Sequence, residues 1–136
     1  MLSLGFPVNA EWYAVDFDWV REVVAQPTVT PIPTAPAVVV GVFNLRGEMV
    51  PIFDTGQILG IGAVAAWAYV VVVDTAAGLA GLATTGLPVA VRLGDSLGPA
   101  EGPAAVGIYP MENGAMATLL DVAILVAPGR LGAGVG

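Results

Sequence analysis

The residues able to do chemistry in this chain are few, and their types narrow what that chemistry is. Its 136 residues contain no Cys and no His, and the only positive side chains are Arg21, Arg46, Arg92 and Arg130. Without imidazole, thiol or amine groups, disulfides, thiolate or imidazole metal sites, Cys nucleophiles and His-dependent triads are excluded. What remains is arginine and carboxylate. Arg46 stands in Asn44-Leu45-Arg46-Gly47-Glu48, the polar tip between two apolar runs, Val38–Phe43 and Met49–Phe53. A guanidinium there offers a fixed donor fork that takes a carboxylate through two parallel hydrogen bonds. The same arginine also reads as a solvated turn residue.

Asp54 and Asp121 are the other conspicuous set. Each follows a strand-like run and precedes a short apolar stretch, which makes each an N-cap whose carboxylate accepts from the first free helix amides. Neither has a base, a metal-ligand set or a phosphate loop beside it. Gly60-Ile61-Gly62-Ala63 lacks the third glycine and the βαβ setting of a dinucleotide fingerprint. No catalytic residue, metal or cofactor is therefore expected, and an enzyme is disfavoured. Trp12, Trp19 and Trp67 read as core or near-core.

The bulk numbers restrict partners. A net charge of −7 cannot neutralise phosphates, which argues against nucleic acid and against anionic lipid. Mean hydropathy is +0.84, and Thr55–Val73 is uncharged throughout. That run still contains Gln57 and, near its start, Thr55 and three Gly residues, and no Lys or Arg flanks it, so no membrane insertion is expected. The start, MLSLGFPVNAEW, lacks the basic and apolar regions of a signal peptide, so a cytoplasmic location is expected.

The elements that must position these residues are mostly strands. Leu2–Val8 and Trp12–Phe17 read as two strands around Asn9-Ala10-Glu11. Asp18 then reads as the cap of a short helix or turn over Trp19–Val24. Prolines 27, 31, 33 and 36 force an extended connection. The Arg46 hairpin follows, then a short helix over Thr55–Leu59 ended by Gly60 and Gly62. In the second half, Trp67–Asp74, Leu79–Thr84 and Pro88–Arg92 read as strands, and Gly94–Pro103 as a loop. Val106–Met111 and Ala115–Leu120 flank Glu112-Asn113-Gly114, where Asn-Gly supplies the positive φ of a tight hairpin. A short helix is expected over Val122–Val126, and the glycine-rich tail Pro128–Gly136 is expected to fray.

The two halves superpose with one offset of 67 residues, which places Gly47 on Gly114, Met49 on Met116 and Asp54 on Asp121. The same offset lays Trp12–Val24 on Leu79–Val91. Two related small β-units result, each a meander or barrel closed by a short helix.

The stretches WYAVDFDWVREVV, PTVTPIPTAP and VVVGVFNLRGEMVPIFD resemble the first half of a CheW-like domain. Ala68–Asp74, Gly78–Leu82 and the terminal LLDV fit the second half. Domains of that family couple chemoreceptors to a histidine kinase in bacterial chemotaxis. The resemblance implies a mainly β fold of two SH3-like five-stranded barrels with short helices. It implies one domain over residues 1–136, with subdomains near 10–64 and 65–127, and with strand 2–8 and the C-terminal segment crossing over. It implies two partners, a receptor's cytoplasmic helical tip and the kinase regulatory domain. By motif, Arg46 falls on the receptor-contact arginine, Gly41 on a small residue that admits a partner, and Val20 and Glu22 on a partner-binding V-x-E segment. Each also has a plainer reading: Gly41 as a strand bulge, Val20 as core, Glu22 as a solvated acid. Asn44, in the same NLRG motif, is grouped with these partner-binding candidates, and its plainer reading is that it satisfies the turn backbone. A small β-barrel that binds a peptide or ligand in another two-component pathway is the alternative function.

Overall fold

The four consecutive valines, Val70–Val73, are all fully buried, and the reason gives the architecture. Their strand is covered on both faces, so it needs no polar alternation. Val71 and Val73 point into a core shared by the whole molecule, whereas Val70 and Val72 point into the interior of their own sheet. Burying one such side chain stabilises the fold by roughly 1.5–3 kcal/mol.

The computed structural model describes residues 1–64 and 66–127. The expected tail Pro128–Gly136, with Arg130, lies outside the described residues. The strands are β1 (Leu2–Val8), β2 (Glu11–Asp16), β3 (Val20–Ala25), β4 (Val39–Leu45), β5 (Glu48–Phe53), β6 (Tyr69–Thr75), β7 (Gly78–Thr84), β8 (Val89–Arg92), β9 (Ala105–Pro110) and β10 (Met116–Leu120). Two short helices, α1 (Thr55–Leu59) and α2 (Val122–Leu125), follow β5 and β10. The fold is mainly β, in two five-stranded sheets ordered β8-β1-β2-β10-β9 and β3-β6-β7-β5-β4. In neither sheet does ladder pairing among the described residues run full circle: β8 and β9 are the edges of one, β3 and β4 of the other.

The offset of 67 carries into three dimensions strand by strand. It maps β1 onto β6, β2 onto β7, β3 onto β8, β4 onto β9 and β5 onto β10, so the two sheet orders become one another. It maps the register too. The parallel pair Ile52↔Gly81 in the second sheet becomes Leu119↔Ala14 in the first. Neither sheet, however, is built from one contiguous half. β1 and β2 leave the first half to join β8–β10, and β6 and β7 join β3–β5. The sheets therefore do not divide the chain near residue 64. The parallel β2–β10 and β5–β7 contacts produce the exchange, because parallel neighbours must come from distant parts of the chain.

One local expectation is overturned. Trp19–Val24 is not a helix or turn: Phe17–Trp19 forms a single 3-10 turn, and Val20–Ala25 is strand β3, paired with β6. The cap is Asp16, which accepts from the Asp18 amide at 2.9 Å, rather than Asp18. Val20, Glu22 and Val24 are half-buried while Arg21, Val23 and Ala25 are exposed. That alternation is a strand with one face on the protein.

The shared core takes Leu4, Phe6, Val8 and Val15 from the first sheet, Phe53, Val71, Val73 and Leu82 from the second, and Ile58 and Leu125 from the helices. Each sheet also has its own smaller interior. Trp12, Trp19 and Trp67 are half-buried and pack against one cluster each. No helix among the described residues is long and apolar enough to cross a membrane. The uncharged run Thr55–Val73 is instead spent on α1, a connection and most of β6.

Candidate functional site

Strands β4 and β5 join through a two-residue tip, Arg46-Gly47, with Leu45 facing Glu48 as the last pair. Both tip residues have positive φ, 50° at Arg46 and 91° at Gly47. This is the backbone that suits the right-handed twist of a tight hairpin, and it normally selects Asn or Gly at the first position. Arginine there is unusual. Asn44 supports it: its Oδ1 accepts from the Gly47 amide at 2.8 Å. The turn role read for Asn44 in the sequence is thus seen directly.

Held on that tip, Arg46 reaches across to Glu22 on β3. Nη1 donates to Glu22 Oε1, and Nη2 donates to Oε2 at 3.2 Å. The Arg46 side chain remains 74% exposed while that of Glu22 is 27% exposed. One carboxylate therefore orients a guanidinium that still faces solvent. The hydrogen bond from Arg46 holds the Glu22 carboxyl below the usual glutamate range, against a smaller opposing effect of burial. The same bond raises the Arg46 pKa further. Beside this pair, Arg21 donates to Asp74 at 2.5 Å.

A groove of about 580 Å³ runs between the β3 and β4 edges. Val24, Phe43, Leu45 and Met49 line it, with Glu22 and Asn44, and the proline-rich connection contributes Pro27, Thr28 and Thr30. That connection is tied down where Thr30 and Val42 exchange backbone hydrogen bonds at 2.8 and 2.9 Å. The arrangement is a channel with an apolar stretch of Val24, Phe43, Leu45 and Met49 among polar groups, and with a forked cation held beside it through Glu22. It can take an apolar face of a helix while accepting one of its carboxylates.

The structure places the sequence-derived residues unequally. Arg46, Glu22 and Asn44 come together at the groove. Val20 stands apart from it: half-buried, opposite Val73, it packs on the shared core. Gly41 is buried at a register shift in β4, where an added Cβ would lie 2.5 Å from Val29 Cγ1 and 2.6 Å from the Thr30 carbonyl oxygen. The segment that closes on Gly41 is the chain's own connection. Sequence reasoning missed Val24, Phe43, Leu45 and Met49 as lining residues. Met49 was within reach, since a two-residue tip pairs it with Asn44 and so puts both on one face.

Asp54 and Asp121 serve separate helices. Asp54 accepts from the Gln57 amide at 3.1 Å, Gln57 Nε2 at 3.0 Å and the Val64 amide at 3.0 Å, whereas Asp121 accepts from the Ile124 amide at 3.2 Å. Among the described residues no group of three or more acids is placed to hold a metal ion.

The model of the CheW-like domain matches residues 3–128. The chain belongs to the CheW-like family. Within it, the chain is 47% identical over 49 residues to the chemotaxis protein CheW of Treponema pallidum, covering 36% of this chain and 29% of that protein. It is 42% identical over 60 residues to the CheW of Rhizobium meliloti, covering 44% of this chain and 39% of the relative. These alignments span well under half the length of the curated relatives. The scaffolding protein TtCheW of Thermoanaerobacter tengcongensis has the same fold: TM-score 0.77, 24% identity, 91% of this chain and 86% of that one covered.

Proposed function

We propose that this chain is a non-catalytic adaptor that couples chemoreceptors to a chemotaxis histidine kinase in the cytoplasm. The observation that carries the reading is Arg46. Turn physics favours Asn or Gly at its position, yet an arginine stands there, braced by Asn44 and aimed by Glu22 beside a groove with an apolar stretch. A receptor's cytoplasmic helical tip would lay an apolar stripe in the groove and a carboxylate on the guanidinium. The kinase regulatory domain would dock elsewhere on the single domain, and holding both partners raises the local concentration of kinase at receptor. Partner-binding roles for Gly41 and Val20 become indirect in this reading: Gly41 admits the connection that floors the groove, and Val20 anchors the strand that carries Glu22.

A pull-down with a chemoreceptor cytoplasmic fragment and, separately, with a kinase regulatory domain tests the proposal. Both are expected to bind. Capture of neither would leave the peptide- or ligand-binding module in another pathway as the better account.

A further inference from the structure

Met49 and Met116 occupy the same position in the two halves of the chain, and both are strongly exposed, at 58% and 63%. Their surroundings differ. Met49 lines the groove beside Arg46, together with the apolar Val24, Phe43 and Leu45. Met116 lies in a separate cleft with Trp12 and Ile108. Met111 is buried, and Met1 is the chain start. A thioether this accessible is open to two-electron oxidants, and a groove wall is where its chemistry matters.

We propose that Met49 is a redox modification site that weakens partner binding when oxidised; this rests on the adaptor reading above. Hydrogen peroxide transfers one oxygen to the sulfur. The thioether is oxidised to the sulfoxide as the O–O bond breaks, and the peroxide is reduced to water. The product carries a strongly polar S–O group where an apolar partner face must pack against Val24, Phe43 and Leu45, and docking must strip water from it. A polar atom desolvated without a partner opposes docking. Methionine sulfoxide reductase would restore the thioether, which makes the change reversible. Met116 is the internal control, since it oxidises outside the groove.

The test treats the full chain with hydrogen peroxide, follows Met49 and Met116 by peptide mass spectrometry, and titrates a chemoreceptor cytoplasmic fragment before and after. Oxidised protein is expected to bind roughly tenfold more weakly with an unchanged melting temperature. Met49→Leu, which removes the sulfur, should make whatever binding it retains insensitive to peroxide. Met116→Leu should stay sensitive, and Met49→Gln should bind weakly without peroxide. Unchanged affinity with Met49 fully oxidised, or peroxide sensitivity that survives Met49→Leu, overturns the proposal alone. No binding before treatment overturns the adaptor reading, and this proposal with it.

Discussion

Arg46 and Glu22 lie 24 residues apart and on opposite edges of one sheet, yet their side chains form a two-pronged ion pair. No ladder joins β3 to β4. The two edges meet at the groove instead, where this ion pair links them and the connection through Pro27–Thr30 lines the space and bonds to Val42. The contact has two consequences: it fixes where the guanidinium points, and it lowers the proton affinity of Glu22.

The second consequence is measurable by pH. Glu22 titrates below the ordinary glutamate range because of the Arg46 hydrogen bond. A depressed folded-state pKa contributes stability that is present above the unfolded value and lost as pH falls through the folded one. Carboxyl chemical shifts should show Glu22 titrating low in the parent and returning toward the usual range in Arg46→Ala. The effect on stability should be slight and should shrink with salt, because both groups meet solvent.

Arg46→Asn should separate fold from function. Asparagine is a preferred first residue of this turn, so thermal stability should hold or rise while receptor-fragment affinity falls roughly tenfold or more. Gly47→Ala should do the reverse. Nothing lies within 4 Å of its added Cβ, so the loss is purely the left-handed backbone penalty, about 1 kcal/mol by denaturant titration.

Much of this was legible locally. The hairpin tip, the valine strand, the Asn113-Gly114 turn and both helix caps depend on neighbours a few residues away, and the sequence states them. The offset of 67 disclosed which strands correspond. It could not disclose that the halves exchange strands, because β2–β10 and β5–β7 are parallel pairings between remote segments. β3 was misread for a related reason: Val-Arg-Glu-Val-Val-Ala has weak alternation of its own, and pairing with β6 decides its state. At the site, Arg46 and Glu22 were each singled out, but their contact depends on how two edges of a sheet meet.

Gly41→Ala should destabilise the protein by about 2 kcal/mol, since the new Cβ would overlap Val29 and the Thr30 carbonyl. The Thr30–Val42 bridge should open with it. Faster exchange of the Val42 amide, alongside a lower denaturation midpoint, would register both. Receptor affinity should fall as a secondary effect of the displaced connection.

The two capping aspartates should differ in weight. Asp54 accepts from two backbone amides and one side-chain amide and is nearly buried; Asp121 accepts from one amide. Denaturant titration should give about 2 kcal/mol for Asp54→Ala and about 1 kcal/mol for Asp121→Ala.

The most direct measurement mixes the chain with a chemoreceptor cytoplasmic fragment and a kinase regulatory domain, and follows how much kinase domain co-sediments with receptor. Kinase domain is expected to join the receptor only when the chain is present. Arg46→Ala should largely remove this recruitment while the variant still folds and still binds the kinase domain. Kinase recruitment that is independent of the chain, or undiminished by Arg46→Ala, would contradict the adaptor role.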